Sequence, residues 1–222
     1  MSITVEITED VACINWDDGK ANAVNLDMIS AMNSALDEAN ASAKSIVIAG
    51  RPGVFCGGFD LKILQNAAEE EVEHLIDQGG ELAERLFTFS KPVVMACTGH
   101  AIAQGAAFLL AGDIRIGAKG NFKIGLNETQ IGMPLRHFGP TLAKARLAQT
   151  FYTRAAILGE LFDPDVAVEV GYLDETGSEQ EIRNTAFDRA VALAALPTKA
   201  FELNKLAMRK AAIEALKRKE PL

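Results

Sequence analysis

The stretch Phe55-Cys56-Gly57-Gly58-Phe59-Asp60-Leu61-Lys62 decides how this chain is read, because it carries a strand into a helix through a pair of glycines. It follows Ser45 to Ala49, a short, continuously apolar run that reads as a buried strand, and the turn cluster Gly50-Arg51-Pro52-Gly53. Glycines at such a point let a ligand approach the backbone closely. A second segment of the same kind, Gly99-His100-Ala101-Ile102-Ala103-Gln104-Gly105-Ala106-Ala107, leads from the end of the strand Pro92 to Thr98 into an apolar helix. The first N–H groups of that helix have no intrahelical partner and lie at the positive end of its dipole. Either segment by itself is most simply a connecting turn.

Working outward, Ile3, Val5 and Ile7 alternate with polar residues and Val11 to Trp16 forms a second apolar run, which predicts an antiparallel pair. Asn25 is placed to cap a helix whose buried face is Met28, Met32 and Leu36. Glu70 to Phe89 has helical periodicity through Val72, Leu75, Ile76, Leu82 and Leu86. A helix from Gly105 to Ala111 and a strand from Asp113 to Gly117 repeat the strand, helix, strand order, so parallel strands with crossover helices are expected. From Thr141 onward the pattern is helical, through Ala155 to Leu161, Pro164 to Val170, Glu179 to Leu196 and Thr198 to Lys219. The expected fold is α/β in one domain, with residues 1–195 as its core and residues 196–222 as an amphipathic C-terminal helix.

Composition narrows the function. The 222 residues fit a single core, since chains usually divide only beyond roughly 250 residues. A net charge of −8 opposes nucleic-acid binding, which needs a basic surface, although a local basic site can still hold a small anionic ligand. Cys13, Cys56 and Cys97 form no CxxC pair and are odd in number, which argues against a disulfide framework or structural zinc and for a reducing compartment. Met1 to Asp10 lacks the basic start of a signal peptide, and no apolar run approaches the roughly 18 residues that span a bilayer. A cytoplasmic protein with no membrane and no nucleic-acid partner is expected.

Together, and followed by Ile124-Gly125-Leu126-Asn127-Glu128-Thr129, the two glycine segments resemble the crotonase superfamily, also called the enoyl-CoA hydratase/isomerase family. The resemblance covers most of the chain and includes Asn22-Ala23-Val24-Asn25, Gly58-Phe59-Asp60-Leu61, Gly99 to Gly105, Asp113 and Asn127-Glu128. It implies a crotonase-like ββα spiral core with a helical C-terminal region, assembled as a homotrimer or dimer of trimers. It also implies a coenzyme A thioester as substrate, with no prosthetic group and no metal. By matching position, Gly57 and Gln104 supply two oxyanion-hole N–H groups and Glu128 the proton-transferring carboxylate. The resemblance further places Lys20, Ala21, Ala23, Phe59, Asp60, Leu61, Lys62, Gly105 and Asn127 in segments that bind substrate and CoA. Fixed N–H donors stabilise a thioester enolate without reorganisation, each contributing about 3 kcal/mol.

Two departures from the family pattern bear on the chemistry. Family members usually carry glycine at Gln104, so a backbone donor survives but a side chain is brought toward the acyl group. Hydratases carry a second glutamate at Ala107; without it, hydration loses one of its two carboxylates, whereas isomerisation needs a single base. The run Ile124 to Gly132, followed by Met133-Pro134-Leu135-Arg136-His137-Phe138, looks more like 3-enoyl-CoA to 2-enoyl-CoA isomerases. Double-bond isomerisation is therefore expected, with hydration or non-catalytic acyl-CoA binding as the alternatives.

The remaining candidates read as structural. His100 and His137 read as packing residues, His74 as solvent-facing and Cys56 as no nucleophile. Lys205, Arg209, Lys210, Lys217, Arg218 and Lys219, with Leu203, Leu206, Ile213 and Leu216, read as an amphipathic helix with a solvated basic face. By the same resemblance, the chain is expected to reach Leu222 before the final helices by which many crotonases cover the acyl pocket.

Overall fold

The computed structural model describes residues 2–219. Its strands are β1 (Ser2–Thr8), β2 (Val11–Asp17), β3 (Ser45–Ala49), β4 (Gly53–Cys56), β5 (Val93–Cys97), β6 (Gly99–Ile102), β7 (Ile114–Ala118), β8 (Ile124–Gly125) and β9 (Glu175–Gly177). Its α-helices are α1 (Leu26–Ser42), α2 (Leu61–Asn66), α3 (Glu69–Thr88), α4 (Gln104–Ala111), α5 (Phe138–Arg146), α6 (Pro164–Val170), α7 (Ile182–Ala194), α8 (Thr198–Met208) and α9 (Lys210–Arg218).

The main sheet has the order β1-β2-β3-β5-β7-β9. As predicted, β1 and β2 are an antiparallel hairpin, with Ser2 opposite Asp17 and Thr8 opposite Val11; every later strand of this sheet joins in parallel. The inner strands β3 and β5 are buried along their whole length, which is why they read as unbroken apolar runs rather than alternating ones. Successive side chains still divide between the two faces. Ile46, Ile48, Val93 and Met95 pack toward α1, α3 and α4, while Val47, Ala49, Val94 and Ala96 pack toward Ile182, Ala186 and Ala190 of α7. Asn25 caps α1 as expected, its side chain accepting the Met28 N–H at 2.9 Å.

A second, smaller sheet was not expected. β4, β6 and β8 pair in parallel, with Gly53 opposite Gly99, Cys56 opposite Ala101 and Ile102 opposite Gly125. The sequence shows these segments as turns because strands of two to four residues are too short for any periodicity to register.

The C-terminal half also needs correcting. The helix expected over Ala155 to Leu161 is only a π-helical turn, Thr153–Ile157; beyond it Phe162 exchanges two 2.9 Å backbone hydrogen bonds with Ile124 and extends the small sheet. The helix expected over Thr198 to Lys219 breaks at Arg209 into α8 and α9. Its basic face is not all solvated. Lys205 and Arg209 fold inward onto Asp113 at 2.8 and 2.9 Å, and Arg209 also stacks over the Phe87 ring at 4.2 Å. The Asp113 carboxylate further accepts the Val93 N–H at 2.8 Å, so one acid ties the C-terminal helices to the start of β5. Ala212, Ile213 and Leu216 of α9 join the main core, whereas Leu203 is exposed.

Candidate active site

The three strands of the small sheet run in the same direction, so their C-terminal ends lie side by side. In parallel sheets this is the edge at which ligands are commonly received. From it emerge Gly57 to Phe59 after β4, Ala103 and Gln104 after β6, and Leu126 to Glu128 after β8. Gly57, Gly58, Phe59, Ile102, Ala103, Asn127 and Glu128 line a cavity of about 170 Å³. Leu61 and Leu64 of α2, Ile76 of α3, Ile131, the loop Met133 to Arg136, and Phe138 of α5 complete its wall.

The donor expected at Gly57 is already engaged: its N–H donates to the Ala21 carbonyl at 2.8 Å. Two residues on, the Phe59 N–H has no partner among the described residues, nor has that of Gln104 at the start of α4. The two turns touch at Gly58. A methyl group on that residue would lie 3.1 Å from the Ile102 oxygen, 3.2 Å from the Ala103 methyl and 3.8 Å from the Gln104 nitrogen, and its φ of +94° also favours glycine. Ala103 itself holds φ 52° and ψ −118°, a conformation that glycine usually occupies and that costs other residues about 1–3 kcal/mol. Ala103 N–H donates to the Gly125 carbonyl at 2.9 Å, so β8 fixes the turn that frees the Gln104 N–H.

The Gln104 side chain does not crowd the cavity. It turns toward α3, where its Nε2 donates to the Gly79 carbonyl at 2.9 Å, and it is buried there. Gly105, expected to meet substrate, is instead a packing position: a methyl on it would fall 2.3 Å from the Cys56 carbonyl oxygen. It is buried in α4 and absent from the cavity wall.

Glu128 opens the 3-10 turn Glu128–Ile131. Its Oε2 is buried with no hydrogen-bond partner among the described residues, and burial pushes the carboxyl pKa up to about 7, against a smaller lowering by its own backbone N–H. It is the one carboxylate lining the cavity among the described residues. Asn127 does not cap the turn; its Oδ1 is also buried and unpartnered there. Ala107 is buried within α4 and does not reach the wall. One supporting residue escaped the sequence reading: the buried Tyr172 hydroxyl accepts the Leu126 N–H at 3.2 Å and fixes the chain between β8 and Glu128. Nothing in the sequence links residues so far apart.

The residues expected at the CoA rim are gathered beside this edge. Val24 N–H donates to the Gly58 carbonyl at 2.8 Å and Asp60 N–H to the Val24 carbonyl at 2.9 Å, which with the Gly57–Ala21 bond laces the loop around Ala23 to the β4 exit. Lys20 and Lys62 are exposed, and Asp60 caps α2 by accepting the Lys62 N–H at 2.9 Å. His74 is exposed, and His100 accepts the Lys123 N–H at 3.0 Å while packing edge-on against Phe122. His137 packs edge-on against Phe138 and lies outside the cavity wall. Burial holds the Cys56 thiol at about 12, so it is unreactive. Among the described residues no His, Cys, Asp and Glu cluster is arranged to hold a metal, and no helix is long and apolar enough to cross a membrane.

With this geometry established, three kinds of likeness converge. The family model described as enoyl-CoA hydratase/isomerase matches residues 6–220. Human mitochondrial enoyl-CoA delta isomerase 1 is 31% identical over 214 residues, 93% of this chain and 70% of that protein. A probable enoyl-CoA hydratase of Bacillus subtilis (strain 168) is 30% identical over 198 residues, 87% of this chain and 75% of its own. A crystal structure of an enoyl-CoA hydratase/isomerase family protein from Pseudomonas syringae is similar with a TM-score of 0.94 at 38% identity, covering 97% of this chain and 94% of that one.

Proposed function

The chain belongs to the enoyl-CoA hydratase/isomerase family, and within it we propose that this protein shifts the double bond of a 3-enoyl-CoA thioester into conjugation. The observation that carries this reading is the solitary carboxylate. Among the described residues Glu128 is the one carboxylate lining the cavity, and Ala107 occupies the position at which hydratases resembling this chain carry a second glutamate.

The thioester oxygen sits between the Phe59 and Gln104 N–H groups. Glu128, as carboxylate, takes a proton from C2, and the electron pair spreads onto the oxygen as a dienolate held by those two donors. The same carboxyl group, now protonated, returns the proton to C4; the double bond moves to C2–C3 and Glu128 is again a carboxylate. A pKa of about 7 suits a group that must both take and give the proton. The exposed Lys20 and Lys62, with Ala21 and Ala23 on the loop laced to the β4 exit, form the rim at which the CoA phosphates are received.

The human relative named as an isomerase and the Bacillus relative named as a probable hydratase match about equally well, so the names do not choose. Mixing the protein with a 3-enoyl-CoA is expected to raise the ultraviolet absorbance of the conjugated thioester. Glu128→Gln is expected to lower that rate by about 10²–10⁴-fold with acyl-CoA binding retained. A 3-hydroxyacyl-CoA formed rapidly from a 2-enoyl-CoA, or full isomerisation by Glu128→Gln, would overturn the proposal.

A further inference from the structure

One end of the cavity is open and the other is shut. Leu61 and Ile131 are 58% and 50% exposed, whereas Ile76 and Phe138 are 4% and 5% exposed, so the wall runs from a wet mouth to a buried floor. Behind the floor, α3 carries two adjacent glycines in its interior, where each weakens a helix relative to alanine. Side-chain room accounts for them. A methyl on Gly79 would lie 2.6 Å from Cζ of Phe59, and one on Gly80 would lie 2.6 Å from Cδ1 of Phe138. Both rings line the cavity, and both are set back by the depth of one missing methyl group.

We propose that Gly79-Gly80 is a seat for Phe59 and Phe138, and that the Phe138 ring on it is the stop that sets the length of acyl tail accepted. This rests on the acyl-CoA reading of the site and adds to it a substrate class: thioesters with a hydrocarbon tail that ends against Phe138. The wall is mostly apolar, with Leu61, Leu64, Ile76, Leu135 and the ring itself, and its polar side chains among the described residues are Asn127, Glu128 and Arg136. Arg136, the one cation in the wall among the described residues, is already held in a two-pronged ion pair by Glu73 of α3, so it does not demand an anionic tail.

The test is titration calorimetry of saturated acyl-CoAs, from butanoyl to hexadecanoyl, with the wild type, Phe138→Ala, Phe138→Leu and Gly80→Ala, each shown by circular dichroism to be folded. Phe138→Ala, or Phe138→Leu if alanine unfolds the chain, is expected to improve binding of chains longer than the wild-type optimum by about tenfold or more relative to shorter ones. Gly80→Ala pushes the ring into the cavity and is expected to move the preference the other way by a similar factor. Saturated thioesters need no turnover, so the two proposals separate. An unmoved length profile in the folded Phe138 variants overturns the stop while leaving isomerisation intact. Shifted profiles in a protein that converts no enoyl-CoA support the stop and sink the isomerase reading. Failure of the wild type to bind any chain overturns both.

Discussion

Glu128 at about 7 keeps its proton in the folded protein over a range where the unfolded chain, near its ordinary value of 4.5, has released it. The folded state therefore binds that proton more tightly, and stability falls as pH rises from about 4.5 to about 7, then levels. Glu128→Gln removes the penalty. Its stabilising effect is expected to be absent below about pH 4 and to reach as much as about 3 kcal/mol near pH 8, read as the difference between urea unfolding curves across pH. Catalysis follows the opposite limb: kcat/KM of the wild type is expected to rise through about pH 7 as the carboxylate form accumulates. Glu128 was legible because its place after Asn127 matches a family motif, and burial, invisible in sequence, supplies its proton affinity. The oxyanion donor was less legible. Gly57 and Phe59 both carry N–H groups near the right place, and only the bond from Gly57 to the Ala21 carbonyl shows which is spent.

The small sheet places the chemistry, and it depends on close backbone approach. A methyl on Gly99 would lie 2.0 Å from the Gly53 carbonyl carbon and oxygen across the β4–β6 pair. Gly99→Ala must therefore part those strands and with them the Phe59 and Gln104 donors. A loss of about 1–3 kcal/mol in thermal or urea unfolding is expected, with a fall in kcat beyond what the remaining folded fraction explains. Long helices such as α1 and α3 were readable because several apolar residues repeat at one period within them, and β3 because its apolar run is unbroken. β4, β6 and β8 carry too few residues for that, and the same brevity made the candidate site look like a set of turns.

Across the molecule, the C-terminal helices are held by charge as well as by packing. Asp113→Asn leaves Lys205 and Arg209 buried without their carboxylate and is expected to destabilise the fold by about 3–5 kcal/mol in urea titration. Replacing Asp113 by Leu and Lys205 by Met together is expected to recover part of that loss. The opening hairpin, the parallel strands after it and the helical tail could be seen in the sequence, but the inward turn of two basic residues could not, since an acid many positions away draws them in.

The main sheet passes into the small one at three places, β3 to β4, β5 to β6 and β7 to β8, of which the first two are the shortest. β3 leads through Gly50 to β4, and β5 leads through Thr98, whose hydroxyl donates to the Arg51 carbonyl at 2.7 Å, to β6. Phe59, Gln104 and Glu128 all leave strands of the small sheet, whereas Ile76 and Phe138 stand on α3 and α5 outside it. In the proposed reading, donors and base thus share one support, like instruments bolted to one tray, while the floor stands on another. A change at Phe138 is therefore expected to alter which tail is measured while leaving the path of the proton unchanged.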